Sequence, residues 1–304
     1  MRGPEDENGP DALGFAIDGH RLAARALDPG LHIVATPIGN LGDVTLRALA
    51  TLAAADLIAC EDTRVTAVLL RHYGIVTPLI PYHDHNAAEQ RPKLLAALDA
   101  GKAVALVSDA GTPLISDPGF KLVGAVREAG HPVVPVPGAS ALLAALVASA
   151  LPTDTFLFAG FLPPKSGARQ SRLRALAGVP ATLVFYETGP RLAASLADMA
   201  EVLGPRPGVV ARELTKAFET VRTGTLAELA ATFAEEGPPK GEIVVLTGPP
   251  SAEAPTVADA DTLLAELLGR LPLSRAVAEA AAVTGLKRRD LYQRALALRG
   301  DGED

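Results

Sequence analysis

Short apolar runs alternate with segments of helical periodicity through the first half of the chain. In the helical segments, apolar residues recur every three or four positions, as at Leu46, Leu49 and Leu52, which predicts helices that pack one face on a core. Largely apolar runs that predict buried strands lie at 31–35, 56–60, 79–82, 103–107 and 133–136. Strands that alternate with helices in this way are typical of a parallel α/β sheet.

A second α/β domain is predicted beyond Pro152, which interrupts the chain after a long apolar helix. The segments at 161–174 and 215–223 favour antiparallel structure within it. Strands are predicted at 155–159, 182–186, 208–212 and 242–247, with helices at 189–203 and 225–236. We therefore expect an N-terminal parallel α/β domain at 30–150 and a further α/β domain at 151–250.

The two ends of the chain differ from these domains. Residues 1–29 open with an acidic segment rich in Gly and Pro and are predicted to form a disordered tail, because such a composition buries little apolar surface. At the other end, helices at 274–282 and 287–298 flank a tight turn, which is helix-turn-helix patterning. Residues 270–299 contain seven Lys or Arg residues and two acidic residues, so we predict a small basic helical domain at 256–304.

Composition narrows the possible partners. The net charge of −7 does not attract RNA to the protein as a whole, so any RNA must be held by local basic patches. One such patch follows 161–164, and another opens the last predicted helix; both suit phosphate contacts. The candidate RNA-binding residues are Lys165, Arg169, Arg172, Arg174, Lys287, Arg288 and Arg289.

Cysteine content and hydropathy indicate the cytoplasm. The single cysteine, Cys60, cannot form a disulfide within one chain, which suits a reducing compartment. No apolar run reaches the length of a membrane span, and the acidic N-terminus lacks the basic start of a signal peptide. We therefore expect a soluble cytoplasmic protein without a membrane partner.

Polar motifs follow three of the predicted strands in the first domain. The segments 61–64, 83–86 and 108–119 each begin where an apolar run stops. In an open parallel sheet, ligands bind outside the carboxyl ends of the strands, so a site is expected there. The loop at 36–43 lacks G-x-G-x-x-G, and no G-x-x-x-x-G-K-[ST] occurs in the sequence. A standard dinucleotide site and a Walker-type NTP site are therefore excluded.

Each of these motifs alone is also compatible with a structural role. The charges at 61–64 could form an ion-pair network that caps the next helix, and 36–43 could be an ordinary strand-to-helix turn. His83 and His85 have H-x-H spacing, but a metal site needs three or four ligands, and the sequence offers no Cys pair or third clustered His. No metal site is predicted.

Eight segments, taken together, resemble one family. They occur in order at 36–43, 61–64, 83–86, 108–119, 161–163, 185–187, 212–216 and 240–242. The set is similar to that of the 16S rRNA cytidine 2′-O-methyltransferases of the tetrapyrrole methylase superfamily, from Leu31 to the C-terminus. The resemblance implies two α/β domains with S-adenosylmethionine (SAM) in the cleft between them, a helix-turn-helix-like C-terminal domain, and a homodimer.

The resemblance also implies an activity and a set of cofactor contacts. The activity is SAM-dependent methylation of a cytidine ribose in the decoding region of 16S rRNA, in the small ribosomal subunit. The implied SAM-binding residues are Ile38, Asp109, Ala110, Thr112, Ile115, Ser140, Phe185, Tyr186, Ala211, Gly241 and Glu242. A ribose hydroxyl is a poor nucleophile, so a proton acceptor is expected beside it. The sequence leaves that residue unidentified among Asp84, His85, Glu61 and Glu187.

Two other functions are compatible with parts of the sequence. One is a tetrapyrrole (precorrin-type) C-methyltransferase of the same superfamily, and the other is a non-catalytic RNA-binding protein that has lost SAM binding. The basic segments at 165–174 and 270–299 favour RNA, since a porphyrinoid needs neither. The intact loop at 108–119 argues against a loss of SAM binding.

Overall fold

The computed structural model describes residues 13–116, 119–250, 257–284 and 286–300. The predictions for the tail residues 1–12, for Asp117 and Pro118 of the 108–119 loop, and for the turn residue Gly285 lie outside the described residues. The chain divides into two compact units, Met1–Pro249 and Pro250–Asp304. Most contacts of each unit are made within that unit.

The first lobe of the larger unit is a parallel sheet with helices on both faces. Its strands are β1 (Gly14–Ile17), β2 (His20–Ala23), β3 (Gly30–Val34), β4 (Leu57–Cys60), β5 (Leu79–Pro81), β6 (Ala103–Val107) and β7 (Val133–Val136). Its α-helices are α1 (Leu46–Ala54), α2 (Thr63–His72), α3 (Ala87–Asp99), α4 (Phe120–Glu128) and α5 (Ala141–Ala148). The parallel strands have the order β5-β4-β6-β3-β7. Helices α1 and α2 cover one face and α3 and α4 the other, so the strands are apolar on both sides, as predicted.

Residues 13–29 are folded, so the predicted tail is wrong for this segment. β1 and β2 pair antiparallel around Asp18-Gly19, and Phe15 is 4% exposed in a core that includes Tyr73. An Asp-Gly pair is a strong signal for a tight hairpin turn. The acidic, Gly/Pro-rich composition of the residues before it concealed that signal in the sequence.

The second lobe of the larger unit is a mixed sheet with a helical layer. Its strands are β8 (Phe156–Phe161), β9 (Thr182–Thr188), β10 (Pro207–Arg212), β11 (Thr220–Thr225) and β12 (Glu242–Thr247). Its helices are α6 (Ser166–Leu176), α7 (Gly189–Leu203) and α8 (Leu226–Glu236). The order is β11-β10-β12-β9-β8, with β8 and β9 parallel and the other pairs antiparallel.

The two predictions of antiparallel structure in this lobe have different outcomes. The pairing of β10 with β11 confirms the prediction for 215–223. The prediction for 161–174 is wrong, because most of that segment forms α6. Arg169, Leu173 and Leu176 have the three- and four-residue spacing that buries one face of this helix.

The smaller unit consists of packed helices, as predicted. They are α9 (Val257–Leu268), α10 (Leu273–Thr284) and α11 (Arg288–Gly300). Their common core contains Ala260, Leu264, Leu267, Ala276, Val277, Ala280, Leu291 and Ala295. In the part of the chain that the structure describes, no helix is both long enough and apolar enough to cross a membrane.

Candidate functional site

Two strand-end loops of the first lobe are joined by backbone hydrogen bonds. β3 and β6 are parallel neighbours, so the loops that follow them leave from the same edge of the sheet. The Thr36 N–H donates to the Gly111 carbonyl at 2.8 Å, and the Gly111 N–H donates to the Thr36 carbonyl at 3.0 Å. The Thr36 hydroxyl also donates to the Ser108 carbonyl at 3.1 Å. These bonds fix the loop at 35–40 against the loop at 108–116.

The loop at 108–116 holds two non-glycine residues in the left-handed region of backbone conformation. Leu114 has a φ of 73° and Ser116 a φ of 66°. Each such conformation costs about 1–3 kcal/mol and persists only where the surrounding structure imposes it. Residues of this kind cluster at ligand sites, so this loop is a candidate ligand cradle.

A cavity of about 300 Å³, which we call pocket A, lies between the two lobes at this edge. The first lobe lines it with Ile38, Asp109, Ala110, Gly111, Thr112, Ile115, Ser116, Ser140 and Ala141. The second lobe lines it with Phe161, Tyr186, Glu187, Thr188, Gly241, Glu242, Ile243 and Val244. Apolar walls with a few convergent polar groups are typical of small-molecule sites of this size.

Pocket A brings together most of the residues that the family resemblance implies for cofactor binding. Those that line it are Ile38, Asp109, Ala110, Thr112, Ile115, Ser140, Tyr186, Gly241 and Glu242. Phe185 does not line it, because side chains alternate along a strand: Tyr186 faces the pocket, and Phe185 faces the helix-covered core. Ala211 does not line pocket A either, because it is buried beside Val209 and Val244.

The aromatic wall of pocket A consists of Tyr186, which is predicted, and Phe161, which the sequence-based prediction lacks. The Tyr186 ring packs edge-on against Phe158 and Phe161, with ring centroids 4.8 and 5.7 Å apart. In a regular strand Phe158 and Phe161 would point to opposite faces, but an irregularity in β8 between Phe158 and Gly160 shifts the register. A glycine within a strand pattern is the sequence signal for such a bulge.

Lys216 of the second lobe lies at the junction of the two lobes. Its Nζ lies 2.8 Å from Glu213 Oε1 and 3.0 Å from Glu242 Oε2. Its aliphatic stem lies directly against Gly39 of the first lobe. Burial opposes the charge on Lys216, but hydrogen bonds and the charges of both carboxylates outweigh it and raise the pKa of the lysine. A charged lysine therefore spans the junction of the two lobes.

A second cavity of about 460 Å³, pocket B, adjoins pocket A at Asp109. Its lining residues are Glu61, Asp62, Thr63, Arg64, Pro81, His83, His85 and Asp109. The Asp109 carboxylate accepts a hydrogen bond from the Asp62 N–H at 2.9 Å. Burial raises the pKa of Asp109, and burial together with the charge of Asp109 raises the pKa of Glu61. Carboxylates with raised pKa values are better proton acceptors and are common at catalytic sites.

The other candidate proton acceptors differ in their surroundings. His85 lines pocket B, whereas Asp84 is exposed and lies outside that pocket. Glu187 is buried at the end of β9 and accepts hydrogen bonds from the Ser195 hydroxyl at 2.5 Å and the Thr188 N–H at 2.8 Å. These contacts indicate that Glu187 fastens β9 to α7.

The basic segment at 165–174 lies mostly in a helix, and one of its cations is buried. Arg169 is 4% exposed, and its Nε lies 2.6 Å from the Asp198 carboxylate of α7. Ser166 and Gln170 donate to the same carboxylate. The prediction that Arg169 contacts RNA is therefore wrong. The exposed cations of the two predicted basic patches are Lys165, Arg172, Arg174, Lys287, Arg288 and Arg289.

Comparison with known proteins identifies the class to which this fold and site belong. Residues 30–230 match the family model of the tetrapyrrole (corrin/porphyrin) methylases. Residues 254–299 match that of the RsmI C-terminal HTH domain. A solved structure of similar fold is uroporphyrin-III C-methyl transferase from Thermus thermophilus complexed with S-adenyl homocysteine. It is 23% identical, with a TM-score of 0.50, and the match covers 71% of this chain and 96% of that chain.

Curated relatives define the family more narrowly. The ribosomal RNA small subunit methyltransferase I of Mesorhizobium japonicum is 57% identical over 286 residues, which cover 93% of this chain and 97% of the relative. The protein of the same name from Erythrobacter litoralis is 55% identical, with coverage of 92% and 99%. The chain therefore belongs to the ribosomal RNA small subunit methyltransferase I family.

Replacing Arg169 with Ala should destabilise the second lobe, because the Asp198 carboxylate would stay buried without its cation. Loss of one partner of a buried ion pair costs about 3–5 kcal/mol. We expect the free energy of unfolding, measured by urea denaturation, to fall by that amount. Arg172→Ala, at an exposed position of the same helix, should change it by less than about 0.5 kcal/mol. Equal effects of the two substitutions would contradict a structural role for Arg169.

Proposed function

We propose that this chain transfers the methyl group of SAM to the 2′-hydroxyl of a cytidine ribose in the decoding region of 16S rRNA. The observation that carries the proposal is the position of Asp109, which lines both pocket A and pocket B. Pocket A suits a cofactor and pocket B suits the acceptor nucleotide, and the Asp109 carboxylate lies between the two. The names of relatives at 57% and 55% identity, which specify a small-subunit rRNA methyltransferase, support this assignment.

Pocket A has the groups that SAM requires. SAM supplies a methyl group on a positively charged sulfur, and it also carries an adenine ring and an amino-acid head. Ile38, Ala110 and Val244 offer apolar surface to the adenine, while Asp109 and Glu242 offer carboxylates to the positive charges. The fold relative that was crystallised with S-adenyl homocysteine is consistent with this choice of cofactor.

The acceptor nucleotide would enter pocket B. Asp109 would take the proton of the ribose hydroxyl there, since it lines pocket B together with Glu61 and His85. Carboxylates also accept hydrogen bonds from the N4 amine of cytosine, which suits a cytidine. Holding the reacting groups in one geometry supplies much of the rate of such a transfer, and the joined loops at 35–40 and 108–116 provide rigid walls for it.

Basic residues outside the pockets would hold the rRNA. The patch on and before α6 and the patch at the start of α11 are exposed, and phosphate contacts of this kind position a nucleic acid on an otherwise acidic protein. The family resemblance further supports action as a homodimer in the cytoplasm. Neither a membrane nor a metal ion enters this proposal.

Mass-spectrometric mapping of ribose methylation tests the proposal. The rRNA of cells that lack this gene should lose a 2′-O-methylated cytidine in the decoding region of 16S rRNA, and the wild-type gene should restore it. An unchanged methylation pattern in the deletion strain would contradict the proposal. If the purified protein instead methylates a tetrapyrrole and leaves rRNA unmodified, it is a precorrin-type C-methyltransferase.

Asp109→Asn should slow methyl transfer by about 100-fold or more, the usual contribution of a general base. The amide cannot accept the proton, although its oxygen can still accept the hydrogen bond from the Asp62 N–H. The same substitution should raise the melting temperature at pH 7. Burial raises the pKa of Asp109, so the ionised form is disfavoured in the folded state, and that cost grows as the pH rises through the raised pKa.

Rate–pH profiles and thermal melting check both effects of Asp109→Asn. The wild-type rate should fall as the pH is lowered through the raised pKa of Asp109, because the carboxylate accepts a proton only when it is ionised. Asp154→Asn makes the same chemical change at an exposed position before β8, outside pockets A and B, and should alter neither property. A wild-type rate for Asp109→Asn would show that Asp109 is not the proton acceptor.

A further inference from the structure

A third cavity, pocket C, shares the turn at 83–86 with pocket B. His83 and His85 line pocket B, whereas Asp84 between them lines pocket C. Pocket C has a volume of about 250 Å³ and is lined by Tyr82, Asp84, Ala87, Ala88, Arg91, Gly119, Phe120 and Lys121. The methyl-transfer chemistry gives no role to Arg91, Phe120 or Lys121.

The ring of Phe120 is exposed to solvent at this cavity. It is the first residue of α4 and is 82% exposed, whereas Leu122 and Val126 of the same helix are fully buried. The ring therefore adds little to the core of the first lobe, and its face is free for stacking. Exposed aromatic rings of this kind form the stacking platforms on which single-stranded nucleic acids bind.

Two cations accompany the ring. Lys121 is exposed, and Arg91 of α3 has its Nε enclosed by protein without a hydrogen-bond partner among the described residues. Buried polar groups almost always have a hydrogen-bond partner, so the Nε–H of Arg91 is available to donate to a ligand in pocket C. The lining also contains the carboxylate of Asp84. Two cations against one carboxylate give the pocket a positive charge in a chain whose net charge is −7.

We propose that pocket C binds the nucleotide next to the target cytidine in a single-stranded segment of the rRNA. Its base would stack on Phe120, and its phosphate would contact Arg91 and Lys121. Adjacent residues of one turn line pockets B and C, so one nucleotide step can connect them. A docking protein would need a much larger apolar surface than one ring. This inference rests on the proposed function, because pocket B must hold the target cytidine.

Fluorescence anisotropy with a short single-stranded RNA containing the target cytidine tests the inference, together with KM and kcat for its methylation. Phe120→Leu keeps an apolar side chain but removes the stacking face, and it should weaken RNA binding and raise KM about 10-fold. Phe120→Tyr keeps the ring and should stay close to the wild type. SAM affinity, measured by calorimetry, should be unchanged in both variants.

Variants of the two cations add a salt-dependent readout. Arg91→Ala and Lys121→Ala should each reduce the slope of log Kd against log salt by about 0.7, the value for one phosphate contact on a single strand. Lys102→Ala removes an exposed lysine just before β6, outside pocket C, and should leave the slope unchanged. Unchanged slopes in both cation variants would contradict the phosphate contact.

The outcomes separate this inference from the proposed function. If the wild type methylates the RNA and Phe120→Leu matches it in Kd and KM, pocket C does not bind RNA while the proposed function stands. If Phe120→Leu changes the sedimentation coefficient but not the RNA affinity, Phe120 belongs to a protein contact, and the inference is wrong. If the wild type neither binds nor methylates small-subunit RNA, the proposed function fails, and the inference fails with it.

Discussion

The paired hydrogen bonds between Thr36 and Gly111 are the constraint on which the site depends. They join the loops that follow β3 and β6, two neighbouring strands whose carboxyl ends must meet at one edge of a parallel sheet. Gly111 has a φ of 81°, and a Cβ there would meet the Ile38 side chain at 3.3 Å. A side chain at position 111 would therefore press on Ile38, which lines pocket A beside Ala110 and Asp109, and would add strain at the positive φ.

The second lobe supplies the other wall of pocket A. Tyr186 and Phe161 line the facing wall of pocket A. Lys216 reaches across to Gly39 while it pairs with Glu213 and Glu242. Asp109 lies where pockets A and B meet, and its burial, together with the charge of Asp62, raises its pKa. The same burial that disfavours its charge makes it a suitable proton acceptor.

The pattern of the sequence predicts the parallel sheet and the loops at its carboxyl edge, because both depend on local order along the chain. The individual residues assigned to pocket A follow from the family resemblance instead. An apolar run followed by a polar motif places that motif at the carboxyl edge of a parallel sheet, so the pattern of residues is enough to locate the loops at 36–43, 61–64 and 108–119. The orientation of Phe185 could not be predicted in this way, because its strand had no assigned core face. In the structure, alternation along β9 turns Tyr186, not Phe185, toward the pocket.

Other features depend on contacts between residues distant in sequence. In the sequence, Arg169 is indistinguishable from the exposed cations beside it. Its burial depends on the ion pair with Asp198 of α7. Pocket C exists because α3 and α4 bring Arg91 and Phe120 to one cavity, and neither residue belongs to a motif. The hairpin of β1 and β2 is the exception, since its Asp-Gly turn is a local signal that the acidic composition of the preceding segment concealed.

Calorimetric titration of SAM into matched glycine variants tests the central claim most directly, that the joined loops build the cofactor pocket. Gly111→Ala and Gly101→Ala both place a side chain at a positive φ, of 81° and 75°, but a Cβ at Gly101 has no neighbouring atom within 4 Å. The wild type and Gly101→Ala should bind SAM with similar affinity, and Gly111→Ala should bind it at least about 10-fold more weakly, a loss of about 1.4 kcal/mol. A wild type that binds no SAM, or equal affinity in the two variants, would contradict the claim.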